Sequence, residues 1–208
     1  MEGGVAGTVL NRSRLFESLR GVLDPGLVVH LRRMLARVPH SSLLDLGCGT
    51  GNLCGMTDAA YLGVDSSPSY IRYAREHYAS ASASASKRFE VADAFALDGS
   101  VGCHDVAALI NFVHHFSDED VLRILRGLRA ATPRHVFLVD VDMEKTTALF
   151  RLVFMPLDRG RHFRTRGAQR SLLEKAGCRV EWEDGCTSWP GIYPHSAIMA
   201  SYPEAGGG

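Results

Sequence analysis

The chain has 208 residues, of which 46% are hydrophobic and 22% charged, and its formal net charge is zero. This composition excludes a disordered chain, and the length suits one α/β domain with a single core. The balanced charge gives no overall attraction to nucleic acid or to an anionic membrane surface. No stretch has the apolar length of a membrane span, and the N-terminus lacks the pattern of a signal peptide.

The cysteines indicate the compartment. There are five of them, an odd number, and no two form a C-x-x-C pair. Neither a disulfide framework nor a zinc knuckle is therefore predicted, and reduced cysteines in a cytoplasmic protein are expected.

Two helices are predicted ahead of the first strand. Residues 11–20 carry apolar side chains at helical spacing, and a turn at Asp24-Pro25-Gly26 begins a second helix. The second helix is expected to run to about Val38, where Pro39 ends it.

The glycine-rich stretch 43–51 reads Leu-Leu-Asp-Leu-Gly-Cys-Gly-Thr-Gly. An apolar run followed by glycines predicts a buried strand, a tight loop and the start of a short helix. Such a junction is expected to offer unpaired N–H groups and a positive helix end to an anionic ligand. The spacing differs from the G-x-G-x-x-G of a dinucleotide loop, and no Lys follows as in a phosphate loop.

An acidic residue follows the second predicted strand. Asp65 comes directly after residues 61–64 and lies eighteen positions beyond Gly47. A βαβ unit brings the ends of its two strands together, so this carboxylate is placed to accept hydrogen bonds from ribose hydroxyls. Enzymes that bind NAD also hold a ribose with an acid at this position. Asp65 therefore indicates an adenosine-type ligand but does not tell NAD apart from other adenosine cofactors.

The rest of the chain alternates strands and helices. A helix over 69–78 is followed by an Ala–Ser run, 79–86, that reads as a surface loop. The further strands are predicted at 89–92, 104–110, 136–139, 178–183 and 198–202, and the further helices from Ser117, over 144–154 and over 168–176.

The run Asp-Leu-Gly-Cys-Gly-Thr-Gly resembles the first motif of class I methyltransferases, which bind S-adenosylmethionine (SAM). The resemblance implies an α/β fold with a Rossmann-like, doubly wound, seven-stranded sheet, mostly parallel with an antiparallel C-terminal hairpin. It implies a single domain over 1–208, with N-terminal helices over 1–40, a SAM-binding core over 41–202 and a tail over 203–208. The helices over 1–40 are expected either to form a lid or to pack on the sheet.

The resemblance also implies a cofactor site, with S-adenosylhomocysteine (SAH) as product. The glycine loop would lie under the methionine part of SAM, and Asp65 would hold the ribose. Asp93 would accept a hydrogen bond from the adenine amino group with Ala94 beside the ring, or would instead cap the following turn. The full predicted set is Asp45, Gly47, Cys48, Gly49, Gly51, Asp65, Ser66, Asp93, Ala94 and Asn111.

The methyl group of a sulfonium is already electrophilic, so the enzyme mainly has to position a nucleophile. A hydroxyl or protonated amine would also need a general base, for which neutral histidine suits pH 7. His114 and His115 are the first candidates, although many relatives carry a histidine here without using it. Magnesium is disfavoured and no metal is predicted, because the fourth strand ends in Asn111 and not in a carboxylate.

A basic tract lies late in the chain and consists of Arg151, Arg159, Arg161, His162, Arg164, Arg166 and Arg170. It is expected to recognise an anionic group on the acceptor, to form an RNA or carrier-protein surface, or to be solvated. The small size favours a small organic acceptor in specialised metabolism, methylated on O, N or C. The alternatives are an RNA or protein methyltransferase and a SAM-binding protein that transfers no methyl group.

Overall fold

The computed structural model describes residues 25–78, 86–97, 101–130, 134–158, 160–188 and 193–203. Its strands are β1 (Ser42–Leu46), β2 (Ala60–Asp65), β3 (Lys87–Val91), β4 (Val106–Ile110), β5 (His135–Val141), β6 (Arg179–Ser188) and β7 (Tyr193–Ser201). Its α-helices are α1 (Pro25–Leu35), α2 (Pro68–Tyr78), α3 (Asp118–Ala130) and α4 (Arg166–Lys175). Short 3-10 helices cover Asn52–Met56, Ala94–Ala96, Val113–His115 and Met155–Leu157, and a π-helix covers Phe150–Phe154.

The seven strands form one sheet in the order β3-β2-β1-β4-β5-β7-β6. The first five strands are parallel to their neighbours, and β7 is antiparallel to both β5 and β6. The predicted fold class, a mostly parallel doubly wound sheet with an antiparallel C-terminal hairpin, is therefore confirmed.

Both faces of the central strands are buried, which explains why β1, β4 and β5 are apolar almost throughout. The edge strands β3 and β6 carry several charged residues. Neighbouring residues of a strand point to opposite faces, so Leu44 and Leu46 pack with α3 and α4 whereas Leu43 packs with α1 and α2. The described part of the N-terminal region thus packs on the sheet, as one of the two expectations had it. The predicted helix at 11–20 lies outside the described residues.

The strand order reverses at β1, which pairs with β2 on one side and β4 on the other. The loops that follow these two strands diverge and leave a crevice at the carboxyl edge of the sheet. The glycine loop, Asp65 and Asn111 all follow strands at this edge, so the topology alone gathers the predicted site residues there.

One predicted helix differs in the structure. Residues 143–145 form a turn, and helical backbone begins only at residue 148. The Oδ1 atom of Asp142 accepts the N–H of Glu144, and the hydroxyl of Thr147 accepts the N–H of Phe150 at 3.1 Å. The prediction of a helix from Glu144 was wrong because these two side chains fix a turn and a later helix start.

The final hairpin is longer than predicted. Its strands pair over their whole lengths, from Ser188 opposite Tyr193 to Arg179 opposite Ser201. Within the described residues, no helix has the length and apolar character needed to cross a membrane.

Candidate functional site

The glycine loop between β1 and the 3-10 helix is shaped by backbone angles that side chains rarely adopt. Gly47, Gly49 and Gly51 have φ values of +74°, +54° and +86°. A Cβ atom on Gly47 would clash with the ring of Phe112, and one on Gly51 would lie 2.8 Å from the ring of Phe89. A Cβ on Gly49 would meet nothing within 4 Å. Packing therefore requires two of the glycines, whereas the third faces open space at the carboxyl edge of the sheet.

Several backbone N–H groups of the loop already donate hydrogen bonds within the protein. Those of Gly47 and Cys48 donate to the carbonyl of Val64, and that of Gly51 donates to the carbonyl of Cys48. The helix that follows is a 3-10 helix of five residues, which carries little dipole. The expectation of unpaired N–H groups and a positive helix end for an anion was therefore wrong at these positions, because closing the loop onto β2 requires the same donors.

The carboxylate of Asp65 is fixed against this loop. Its Oδ2 atom accepts the N–H of Gly49 at 2.9 Å, and its Oδ1 atom accepts the N–H of Ser67 at 2.8 Å. Each oxygen of an ionised carboxylate accepts about two hydrogen bonds, so both retain capacity toward a ligand. Ser66, also in the predicted set, is exposed next to it.

Asp45 is enclosed within the fold. Its side chain is buried, and its Oδ2 atom accepts the hydroxyl of Tyr61 at 2.6 Å. Burial raises the pKa of Asp45 to about 7, the hydroxyl of Tyr61 lowers it in part, and the charge of Asp65 raises it further. Burial likewise raises the pKa of the neighbouring Cys48 thiol, which is therefore protonated at neutral pH.

Asp93 caps the turn after β3. Its Oδ1 atom accepts the N–H of Phe95 at 3.0 Å, and its side chain is exposed. Ala94 is half-buried against the core on the α3 side of the sheet. The capping role that the sequence offered for Asp93 is thus present, and contact with adenine stays a prediction.

Asn111 follows β4 and has a φ of 51°, a conformation that asparagine tolerates better than most residues. Its N–H donates to the carbonyl of Val139 in β5 at 2.7 Å. The Nε2 atom of His195, a buried residue of β7, lies 3.1 Å from its side-chain oxygen. A strained backbone held by two neighbouring strands is typical of a functional position.

His114 is buried between two carboxylates. Its Nδ1 atom lies 2.6 Å from Oδ1 of Asp140 at the end of β5, and its Nε2 atom lies 3.3 Å from Oδ1 of Asp158. Burial lowers the pKa of His114, but the charges of Asp140 and Asp158 outweigh burial and raise it to about 9. The imidazole is therefore held protonated at neutral pH.

The segment 160–163 covers His114. The N–H groups of Arg161 and His162 both donate to the carbonyl of His114, and the ring of Phe163 stacks on its imidazole. A Cβ atom on Gly160 would clash with that imidazole. His115, by contrast, is exposed. Of the two predicted histidines, the structure therefore encloses the first and leaves the second accessible.

Two members of this site were missed by reasoning from the sequence. Asp158 faces His114, and the hydroxyl of Tyr193 donates to the other oxygen of Asp158 at 3.1 Å. Both come from parts of the chain far from the histidines, and no local pattern marks either as a partner. The only sequence signal was the position of Asp158 as an acid within the arginine tract.

Most of the described arginines in the basic tract form ion pairs or hydrogen bonds within the protein. Arg164 is buried, and its guanidinium donates to Asp118 and to the carbonyls of Val113, Phe116 and His162. Arg170 pairs with Glu174 and Glu183. Arg166 lies 3.5 Å from Asp142, and Arg151 donates to Thr146 and the carbonyl of Met143. Arg159 lies outside the described residues, and recognition of an anionic acceptor stays a prediction.

The chain is similar to known proteins in sequence over part of its length and in fold over most of it. Residues 43–135 match the methyltransferase domain family. The magnesium protoporphyrin IX methyltransferase of Synechocystis, solved with SAH bound, is 17% identical with a TM-score of 0.66, over 85% of this chain and 82% of that one. A SAM-dependent methyltransferase of Methanosarcina mazei is 17% identical with a TM-score of 0.67, over 81% and 96%.

A third solved structure, the mitomycin 7-O-methyltransferase, is 22% identical with a TM-score of 0.66, over 84% of this chain and 53% of the other. No curated protein sequence matches the chain. At these identities the likeness to solved structures shows the fold.

The sheet order defines a Rossmann-like α/β protein, with the glycine loop at its switch point. With the domain match over 43–135, the chain has the fold of class I SAM-dependent methyltransferases, which confirms the resemblance drawn from the glycine motif.

Proposed function

We propose that this protein binds SAM at the glycine loop and transfers its methyl group to a small organic acceptor, with SAH as product. The observation that carries the proposal is the pairing of the loop with Asp65. The carboxylate is held by the N–H of Gly49, the loop glycine whose Cβ side is open. The hydroxyls of a ribose lying there would donate hydrogen bonds to Asp65, and the adjoining part of the ligand would contact the loop.

The charges at the loop favour a nucleoside cofactor over a polyphosphate. The N–H groups of Gly47, Cys48, Gly49 and Gly51 are already used, and an ionised carboxylate lies against the loop. A pyrophosphate would find these donors already occupied. SAM carries a sulfonium, an ammonium group and one carboxylate but no phosphate, so its net charge is positive and the carboxylate of Asp65 attracts it.

A small acceptor is favoured by the neighbours and by the charge. The solved structures include enzymes named for small organic substrates, magnesium protoporphyrin IX and mitomycin. The net charge of zero gives no overall attraction to RNA, and Arg164 and Arg170 of the basic tract are paired within the protein. An acceptor made in specialised metabolism remains our proposal.

Acceptors that carry a hydroxyl need to lose a proton during transfer. We assign this step to His115 in preference to His114. The ring of His115 is exposed next to the turn that follows Asn111. Both ring nitrogens of His114 face carboxylates inside the protein, so an acceptor would first have to displace Asp140 or Asp158.

Calorimetry with SAH, and with NAD⁺ as the competing ligand, tests cofactor binding. We expect SAH to bind and NAD⁺ not to bind. Asp65→Ala should weaken SAH binding by about 1–3 kcal/mol, the cost of leaving polar partners unpaired. Asp58→Ala removes an exposed acid from the loop before β2 and serves as the matched control with unchanged affinity. Equal affinity of the Asp65 variant and the wild type would refute the ribose assignment.

Methyl transfer is tested by SAH formation across a panel of hydroxyl, amine and carbon acceptors. Turnover with a small molecule supports the proposal. Turnover only with RNA, with an affinity that falls as salt rises, would instead assign the protein to the RNA methyltransferases. SAH binding with no turnover in any acceptor class would leave a SAM-binding protein that transfers no methyl group.

A further inference from the structure

Three potential metal ligands meet beside the candidate site. The ligand atoms of His114, His115 and Asp158 all lie within 4.8 Å of one another. The Nε2 atom of His114 points into this group, and the side chain of His114 is only 2% exposed. Its distance to Oδ1 of Asp158 is 3.3 Å, and it forms no directed hydrogen bond within the described part of the chain. Without an ion, the protonated imidazole pairs with Asp158 through charge. A metal ion would replace the proton on Nε2 and bind between the two atoms.

We propose that His114, His115 and Asp158 form a binding site for a divalent first-row transition-metal ion. Two ligands about 2.1 Å from a tetrahedral ion lie about 3.4 Å apart, close to the 3.3 Å between His114 and Asp158. The third ligand comes from the exposed His115, whose ligand atom lies within 4.8 Å of the other two.

Neighbouring residues that would not touch the metal already orient two of the three ligands, His114 and Asp158. The Nδ1 atom of His114 lies 2.6 Å from Asp140, the arrangement that fixes the ring and directs Nε2 toward a metal. Asp158 accepts the hydroxyl of Tyr193 and the N–H of Gly160. A turn after β4, a loop before α4 and the first residue of β7 thus converge on one point.

The donor set indicates the kind of ion. Two imidazoles and one carboxylate suit zinc, iron, cobalt or manganese, whereas magnesium prefers oxygen ligands alone. The sequence argument against magnesium, which rested on Asn111, does not apply to this group. Both histidines follow Asn111 along the chain, and the carboxylate comes from a different segment.

Three protein ligands leave at least one coordination position open, as in catalytic metal sites. A role for that position rests on the proposed function. An acceptor hydroxyl bound there would release its proton to water, and its oxygen would then bond to the methyl carbon as the carbon–sulfur bond breaks and SAH leaves. A metal-bound His115 has no lone pair for a proton, so the general-base role assigned to it above applies only to the ion-free protein.

Zinc binding to the full chain without a polyhistidine tag tests the site. We expect one zinc ion per chain in a competition with a chromophoric chelator. His115→Ala and Asp158→Asn should each weaken zinc binding at least tenfold. Both variants leave the buried His114 in place, and circular dichroism with thermal unfolding checks that they fold. His162→Ala, an exposed histidine four residues from Asp158, is the matched control with unchanged affinity.

Absence of zinc binding at micromolar concentrations would overturn the proposal. So would wild-type affinity in the His115 and Asp158 variants, or an equal loss in the His162 control, since each would mean that other residues hold the ion. Calorimetry with SAH on the same zinc-free protein separates this failure from failure of the proposed function, because SAH binding does not require the ion.

Discussion

At the scale of a single residue, burial makes Asp45 a source of pH-dependent stability. Its pKa is raised from 3.8 to about 7 in the fold, chiefly by burial. Below about pH 4 the carboxyl is protonated in both the folded and the unfolded chain. Between pH 4 and 7 only the unfolded chain ionises, so the free energy of unfolding falls by about 1.4 kcal/mol per pH unit from this group. Above pH 7 this contribution levels off.

Asp45→Asn should therefore stabilise the protein at pH 8 and change it little at pH 4. The amide removes the ionisation and still offers an oxygen to the hydroxyl of Tyr61. Urea unfolding of the wild type and the variant from pH 4 to pH 8 measures the difference, and comparing the two proteins cancels the titration of all other groups. A difference that stays constant across this range would show that Asp45 is ionised in the fold throughout.

At the scale of elements, Arg164 joins the turn after β4 to the segment that leads into α4. Its guanidinium donates to Asp118, the first residue of α3, and to the carbonyls of Val113, Phe116 and His162. Arg164→Ala should lower the free energy of unfolding by on the order of 3 kcal/mol, because three backbone carbonyls lose a charged donor. Urea denaturation measures this loss.

The ion pair with Asp118 supplies the control for that measurement. The side chain of Asp118 is 72% exposed, so Asp118→Asn removes the charge pair while leaving the three carbonyl contacts intact. It should cost less than about 1 kcal/mol, as surface pairs generally do. Equal losses in the two variants would mean that the ion pair, and not the carbonyl contacts, holds these elements together.

The sequence predicted the features that depend on local pattern. Spacing along a single strand and the turn after it was enough to predict the buried strands, the glycine loop and the positions of Asp65 and Asn111. The helix from Glu144 was wrong because the side chains of Asp142 and Thr147 redirect the backbone. The contact between His114 and Asp158 depends on a segment folding back over β4 and β5, and no local periodicity records such a contact.

At the scale of the whole molecule, the sheet places the glycine loop, Asp65 and Asn111 at the edge where its strands end. β1 supplies the loop, β2 supplies Asp65, and β4 supplies Asn111, whose backbone and side chain are held by β5 and β7. A ligand that contacts three of these strands binds only the folded chain. Its binding free energy therefore adds to the stability of the whole sheet.

SAH at 100 times its dissociation constant should stabilise the fold by about 2.7 kcal/mol. For a chain of this length, that corresponds to a rise in Tm of about 5–10 °C. Asp65→Ala at the same SAH concentration should retain about 1.8 kcal/mol or less, because a binding loss of about 1–3 kcal/mol weakens the affinity at least fivefold. Thermal unfolding followed by circular dichroism gives both values, with NAD⁺ as the control ligand. A rise in Tm with NAD⁺ and none with SAH would mean that the loop accepts a pyrophosphate after all, despite Asp65 and the internal use of its N–H groups.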